Sequence, residues 1–127
     1  MAAAAKILVI DDDKTFTAMV ASLLRTAGYT PVIAFDAMQG FMLAQREHPD
    51  LIILDLSMPA GGGMGVLDHL RHTSRTMNVP VVIVTGTSTP ASESDAKAKG
   101  VVAVLTKPVD AKALMALVKE VVESKGA

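Results

Sequence analysis

Five short apolar runs punctuate the chain, and between them the hydrophobic period changes. The runs are Ile7-Leu8-Val9-Ile10, Pro31-Val32-Ile33-Ala34-Phe35, Leu51-Ile52-Ile53-Leu54, Val81-Val82-Ile83-Val84 and Val101-Val102-Ala103-Val104-Leu105. Uninterrupted runs of this length are the pattern of strands buried on both faces. The Leu51 run, bounded by Pro49 and Pro59, is the central one, and Pro31 suits an edge strand. The intervening segments read as helices. Phe16, Met19, Val20, Leu23, Leu24 and Ala27 follow the i, i+3, i+4, i+7 rule, and Gly28 closes that helix as a C-cap. Asp36 can cap a second helix with Ala37, Gly40, Phe41 and Ala44 inward, ending at His48-Pro49. Beyond a glycine-rich loop, Ala60-Gly61-Gly62-Gly63, a third helix starts with Met64, Val66, Leu67 and Leu70 inward and Asp68, Arg71 and His72 toward water; Asn78-Val79-Pro80 breaks it. A fourth, Ala91 to Lys99, is entered through Pro90 and ended by Gly100. It lacks a strong apolar stripe and is expected to pack weakly. Asp110 caps a fifth, whose stripe is Leu114, Leu117, Val118 and Val121.

Strict alternation of five strands with five helices forces parallel strands, right-handed crossovers and helices on both faces. The expected fold is α/β: a doubly wound five-stranded parallel sheet in the order 2-1-3-4-5, flavodoxin-like, with its switch point between the first and third strands. The 127 residues fit a single domain, 1–127, with its core at about 6–122. Half the residues are hydrophobic but only 3% aromatic, so the core is aliphatic. A net charge of −1 implies no basic face, and direct nucleic-acid binding is not expected. There is no cysteine, which excludes disulfides and Cys-based metal sites or nucleophiles. No apolar run approaches the roughly 18 residues of a membrane span, and Met1 to Lys6 is too short for a signal peptide. A cytoplasmic location is expected.

In a parallel sheet all strand C-termini share one edge. Strand one delivers Asp11, Asp12 and Asp13 there, strand three Asp55 and then Ser57, strand four Thr85 and then Thr87, and strand five Lys107. Carboxylates packed this closely need a cation to stay ionised. Mg²⁺ suits such a site, because it takes hard oxygen ligands and keeps open positions for phosphoryl oxygens. A carboxylate nucleophile, a charge-neutralising metal, a hydroxyl donor and a lysine are the equipment for phosphoryl transfer. No residue is placed as an oriented base for hydrolytic water, so a carboxyl phosphate could persist. Asp13 is more simply a helix cap. His69 and His72, three apart, read as polar-face residues and His48 as a helix-end residue.

The combination resembles the receiver domain of two-component response regulators: Asp11-Asp12 after strand one, Asp55 with Met58-Pro59 after strand three, Thr85 after strand four, Lys107-Pro108 after strand five. The likeness covers about Lys6 to Val122. It implies that Asp55 is the phospho-acceptor. Asp12 and Asp55 would bind Mg²⁺ with the Ser57 backbone carbonyl, and Asp11 would help through water. Thr85 and Lys107 would contact the phosphoryl oxygens, and the Lys107–Pro108 bond would be cis. The donor would be a histidine on a sensor kinase or phosphotransfer protein. The protein would be a signalling switch rather than an enzyme, assisting its own phosphorylation and dephosphorylation. Its changed surface near the fourth helix and fifth strand would favour a downstream protein target or a second copy of itself. With no output domain attached, the expected output is protein–protein contact, or the chain is one domain of a larger protein.

Two departures stand out. Receivers often carry Phe or Tyr three residues before the lysine; here Val104 occupies that place, so coupling through a swinging aromatic cannot operate as such. The usual Met-Asp-Gly of the following loop is replaced by Gly61-Gly62-Gly63, which is costlier to order or admits close approach of a partner. A rival reading takes Ile10-Asp11-Asp12-Asp13-Lys14-Thr15 as the signature of haloacid-dehalogenase-like phosphatases, with Asp11 the nucleophile and Asp13 the general acid. It leaves Asp55 unexplained, and no later strand ends in that family's acidic pair. A phosphate-independent receiver-like interaction module is the third reading.

Overall fold

A computed structural model describes residues 4–59 and 62–125. The chain runs β1 (Lys6–Ile10), α1 (Lys14–Thr26), β2 (Thr30–Ala34), α2 (Ala37–Glu47), β3 (Leu51–Leu54), α3 (Gly62–Arg71), β4 (Val81–Thr85), α4 (Pro90–Ala98), β5 (Ala103–Thr106) and α5 (Ala111–Lys125). The five strands form one sheet in the order β2-β1-β3-β4-β5, every pair parallel. This is the expected doubly wound sheet with Pro31 on an edge strand.

Alternation inside each apolar run divides the core into two layers. Leu8, Ile10, Ile52, Leu54, Val81 and Ile83 face Leu43 and Ala44 of α2 and Val66, Leu67 and Leu70 of α3, with Ala96 of α4. Ile7, Val9, Leu51, Ile53, Val82 and Val84 face Phe16, Val20 and Leu24 of α1 and Leu114, Val118 and Val121 of α5. A strand sandwiched this way has no polar face, so its sequence shows no alternation. The register places Ile10 opposite both Ala34 and Leu54, and Thr85 opposite Thr106.

The helix ends follow their caps. Asp13 and Asp36 accept the backbone N–H of Phe16 and Gln39. Gly28, with φ of 93°, closes the α1 turn, and His48 takes the left-handed conformation that ends α2. Thr89 and Ser92 form a reciprocal capping box at α4.

Several expectations are corrected in detail. The buried face of α1 is Phe16, Thr17, Val20, Ala21 and Leu24, leaving Met19 and Ala27 exposed; the small residues let the helix lie close to the sheet. Helix α3 begins at Gly62, so Gly62 and Gly63 are helical rather than loop, while Ala60 and Gly61 lie outside the described residues. Arg71 does not point to water. Its Nε donates to the Lys99 carbonyl at 2.7 Å and its Nη1 to the Val79 carbonyl at 2.8 Å, tying the end of α3 to the end of α4. Val101 and Val102 precede β5 rather than open it. On α5, Leu117 is only partly buried. Ala96 is the sole buried residue of α4, as weak packing requires. Among the described residues no helix is long and apolar enough to cross a membrane.

Candidate functional site

The sheet's hydrogen-bond ladder continues one residue past the strands, and that extension sets the site. Asp11 N–H donates to Ala34, Asp55 N–H to Ile10, and Lys107 N–H to Thr85, each at about 3 Å. Three chemically active residues are thus held by backbone bonds at neighbouring strand ends. Asp11, Asp55 and Thr85 are 1%, 3% and 0% exposed, while Asp12 stands at the surface. The Lys107 ammonium lies 2.7 Å from Asp11 Oδ2 and 3.6 Å from Asp55 Oδ2. The peptide joining Lys107 to Pro108 is cis.

Each buried carboxylate has further donors. Asp11 Oδ1 accepts the Asp13 N–H at 2.9 Å. Asp55 Oδ1 accepts both the N–H and the hydroxyl of Ser57, at 2.9 and 2.6 Å. These bonds split the pair electrostatically. Burial pushes the Asp11 carboxyl above its usual range, outweighing its bonds to Lys107 and to the Asp13 backbone. Burial pushes Asp55 the same way, but the two Ser57 bonds and the Lys107 charge bring it below the usual range. Burial lowers the Lys107 ammonium, and the facing Asp11 and Asp55 more than reverse this. One lysine thus serves two buried carboxylates.

Oxygens of Asp11, Asp12 and Asp55 lie within 4.8 Å of one another, a group able to hold a metal ion. The donor set is all hard oxygen with three carboxylates against one ammonium, which fits a small divalent cation. Thr85 reaches the same edge, but its hydroxyl donates to the Thr87 carbonyl at 3.1 Å. The start of α3 packs on the Asp55 turn: a Cβ at Gly63 would meet the Asp55 carbonyl oxygen and lie 2.5 Å from Leu56 Cα. Only glycine permits that approach, which gives Gly63 a positional role the sequence reading did not assign. Apolar clefts flank the site. One of about 370 Å³ is lined by Asp12, Phe35, Met38, Met58 and Pro59; another of about 460 Å³ by Phe16, Met19, Lys107, Pro108 and Val109.

The profile of the response regulator receiver domain matches residues 7–119. The chain belongs to the response regulator receiver domain family. Over 114 residues, 90% of its length, this receiver is 36% identical to the DNA-binding dual master transcriptional regulator RpaA of Synechocystis, of which that match spans 47%. The chain thus covers about half of that curated relative. The chemotaxis protein CheY4 of Vibrio cholerae superposes with a TM-score of 0.86 at 30% identity, covering 94% of this chain and 99% of that one. A Burkholderia pseudomallei response regulator, solved with a phosphorylated aspartic acid, a calcium ion and citrate, superposes at 0.80 with 25% identity, covering 88% and 65%.

Receiver domains are signalling switches of two-component systems rather than enzymes with turnover of a free substrate. The family match removes the dehalogenase-like phosphatase reading. The geometry agrees: Asp13, its supposed general acid, is the exposed cap of α1. His69 and His72 are also spoken for, His69 against the Phe41 ring at 5.3 Å and His72 Nδ1 against the Asp68 carbonyl at 2.7 Å.

Proposed function

We propose that this receiver is a Mg²⁺-dependent phosphorylation switch whose acceptor is Asp55. The observation that carries the reading is the asymmetry of that carboxylate. Ser57 occupies Oδ1 with two hydrogen bonds, while Oδ2 faces the Lys107 ammonium across 3.6 Å. The depressed pKa keeps the group ionised, hence nucleophilic. In the transfer, Oδ2 forms the new bond to phosphorus as the bond from phosphorus to a donor histidine nitrogen breaks, its electron pair returning to the imidazole. Asp11, Asp12, Asp55 and the Ser57 backbone carbonyl would hold the cation, which when bound neutralises phosphoryl charge. Lys107 pairs with a phosphoryl oxygen by moving from Asp11. Thr85 reaches another by exchanging its bond to the Thr87 carbonyl.

The donor is a phosphohistidine of a sensor kinase or phosphotransfer protein, and the apolar clefts beside the site suit a protein surface. The Burkholderia structure with its phosphorylated aspartate supports an acceptor of this kind. Exchange at Thr85 pulls on residues 86–89 and so on α4, and Lys107 adjoins β5. The response then appears on the α4–β5 surface as a shift between two states, read by a downstream protein or a second copy of the chain in the cytoplasm. With Val104 in place of an aromatic, the route runs through the β4–α4 loop.

The test is incubation with Mg²⁺ and acetyl phosphate, followed by intact mass. Addition of one phosphoryl group, abolished by Asp55→Asn and slowed by Asp11→Asn, supports the reading. Modification that survives Asp55→Asn contradicts it. No modification, with Mg²⁺ still bound, favours the phosphate-independent interaction module.

A further inference from the structure

The Lys107 ammonium has a third neighbour, and it is not a polar one. Nζ sits 4.3 Å from the centroid of the Phe16 ring, in addition to the carboxylates it faces at 2.7 and 3.6 Å. Phe16 is 8% exposed and belongs to the layer formed with Val9, Val20 and Leu114. Its backbone is fixed as well, because its N–H donates to the Asp13 cap. A buried ring anchored at both backbone and side chain therefore presents its face to the one cation of the site. Phe16 and Lys107 both line the open cleft of about 460 Å³ that Met19, Pro108 and Val109 share.

We infer that Phe16 is a positioning residue for Lys107, holding the ammonium against its face by a cation–π contact while the lysine exchanges carboxylate for phosphoryl oxygen. Attraction to a ring face is spread over the ring rather than fixed on one atom. The ammonium can therefore shift from Asp11 toward Asp55 without losing its third contact. An aliphatic side chain of similar bulk fills the space but offers no negative face. The functional half of this inference rests on Asp55 being the phospho-acceptor; the structural half does not.

Two readouts separate them. In the protein without metal or phosphodonor, the Lys107 side-chain NMR resonances should carry a ring-current shift that Phe16→Leu removes and Phe16→Tyr retains. In Mg²⁺ and acetyl phosphate, Phe16→Leu should slow phosphorylation about three- to tenfold, with Phe16→Tyr restoring most of the rate. In a Lys107→Met background the same Phe16→Leu change should have no further effect, because the pair acts as a unit. Lys107 resonances indifferent to residue 16, or equal slowing by Phe16→Leu with and without the lysine, would overturn the inference. Should Phe16→Leu fail to fold, Phe16→Met carries the same comparison. Should the unaltered protein take up no phosphoryl group, the phosphorylation reading fails, and the resonances alone decide whether Phe16 holds Lys107.

Discussion

On one side of Asp55, β1 and β3 are sealed, every residue from Ile7 to Ile10 and from Leu51 to Leu54 at or below 1% exposure, with α1, α2, α3 and α5 pressed on both faces. On the other side, β5 is half-buried from Ala103 to Leu105 and exposed at Thr106, and α4 buries only Ala96. The groups that hold charge, Asp11 and Asp55, are rooted in the sealed part; Thr85 and Lys107 stand where it gives way to the thin one. A carboxylate cluster needs rigid placement, because small displacements change its electrostatics steeply. A surface that must exist in two arrangements needs few contacts to break. The difference between the two flanks matches that division of labour.

The contrast can be broken most severely from the sealed side. Leu54→Ala, next to Asp55 and fully buried, should cost about 3–4 kcal/mol in urea unfolding, whereas Val104→Ala, only partly buried on β5, should cost about 1 kcal/mol. Comparable losses would erase the distinction. Gly63→Ala forces α3 away from the Asp55 turn and should cost about 2 kcal/mol, with slower phosphorylation as the second readout. Arg71→Met removes the clasp that ties α4 to α3 and leaves the Lys99 and Val79 carbonyls without their partner; about 1–2 kcal/mol should be lost. Thr89→Ala, which deletes the cap of α4, should cost about 1 kcal/mol or less. Its effect should appear as faster hydrogen exchange confined to α4, with the strands unchanged.

How far the sequence anticipated this structure differs between the same two flanks. The sealed strands were plain because continuous apolar runs and capping aspartates are local signals, and strand alternation then dictates topology. Asp11, Asp12, Asp55, Ser57, Thr85 and Lys107 could be named because parallel strands deliver their C-terminal residues to one edge. Where contacts are non-local the sequence fell short. Arg71 looked like a solvated helix residue, since its carbonyl partners lie 6 to 29 positions away. The contact of Phe16 with Lys107 joins opposite ends of the chain and has no periodic trace. The burial of Thr17 and Ala21 rather than Met19 reflects how closely α1 lies on the sheet, which periodicity does not specify. Gly63 read as loop because glycine is a turn residue, whereas here it is the only side chain small enough for the α3 approach.

Hydrogen–deuterium exchange before and after phosphorylation of the intact chain with Mg²⁺ and acetyl phosphate tests the division most directly. Exchange should change in residues 85–99 and in β5, and stay the same in β1 and β3. Stoichiometric phosphorylation with no change at α4, or a change spread evenly through the sheet, would contradict a switch that is held by one flank and read out by the other.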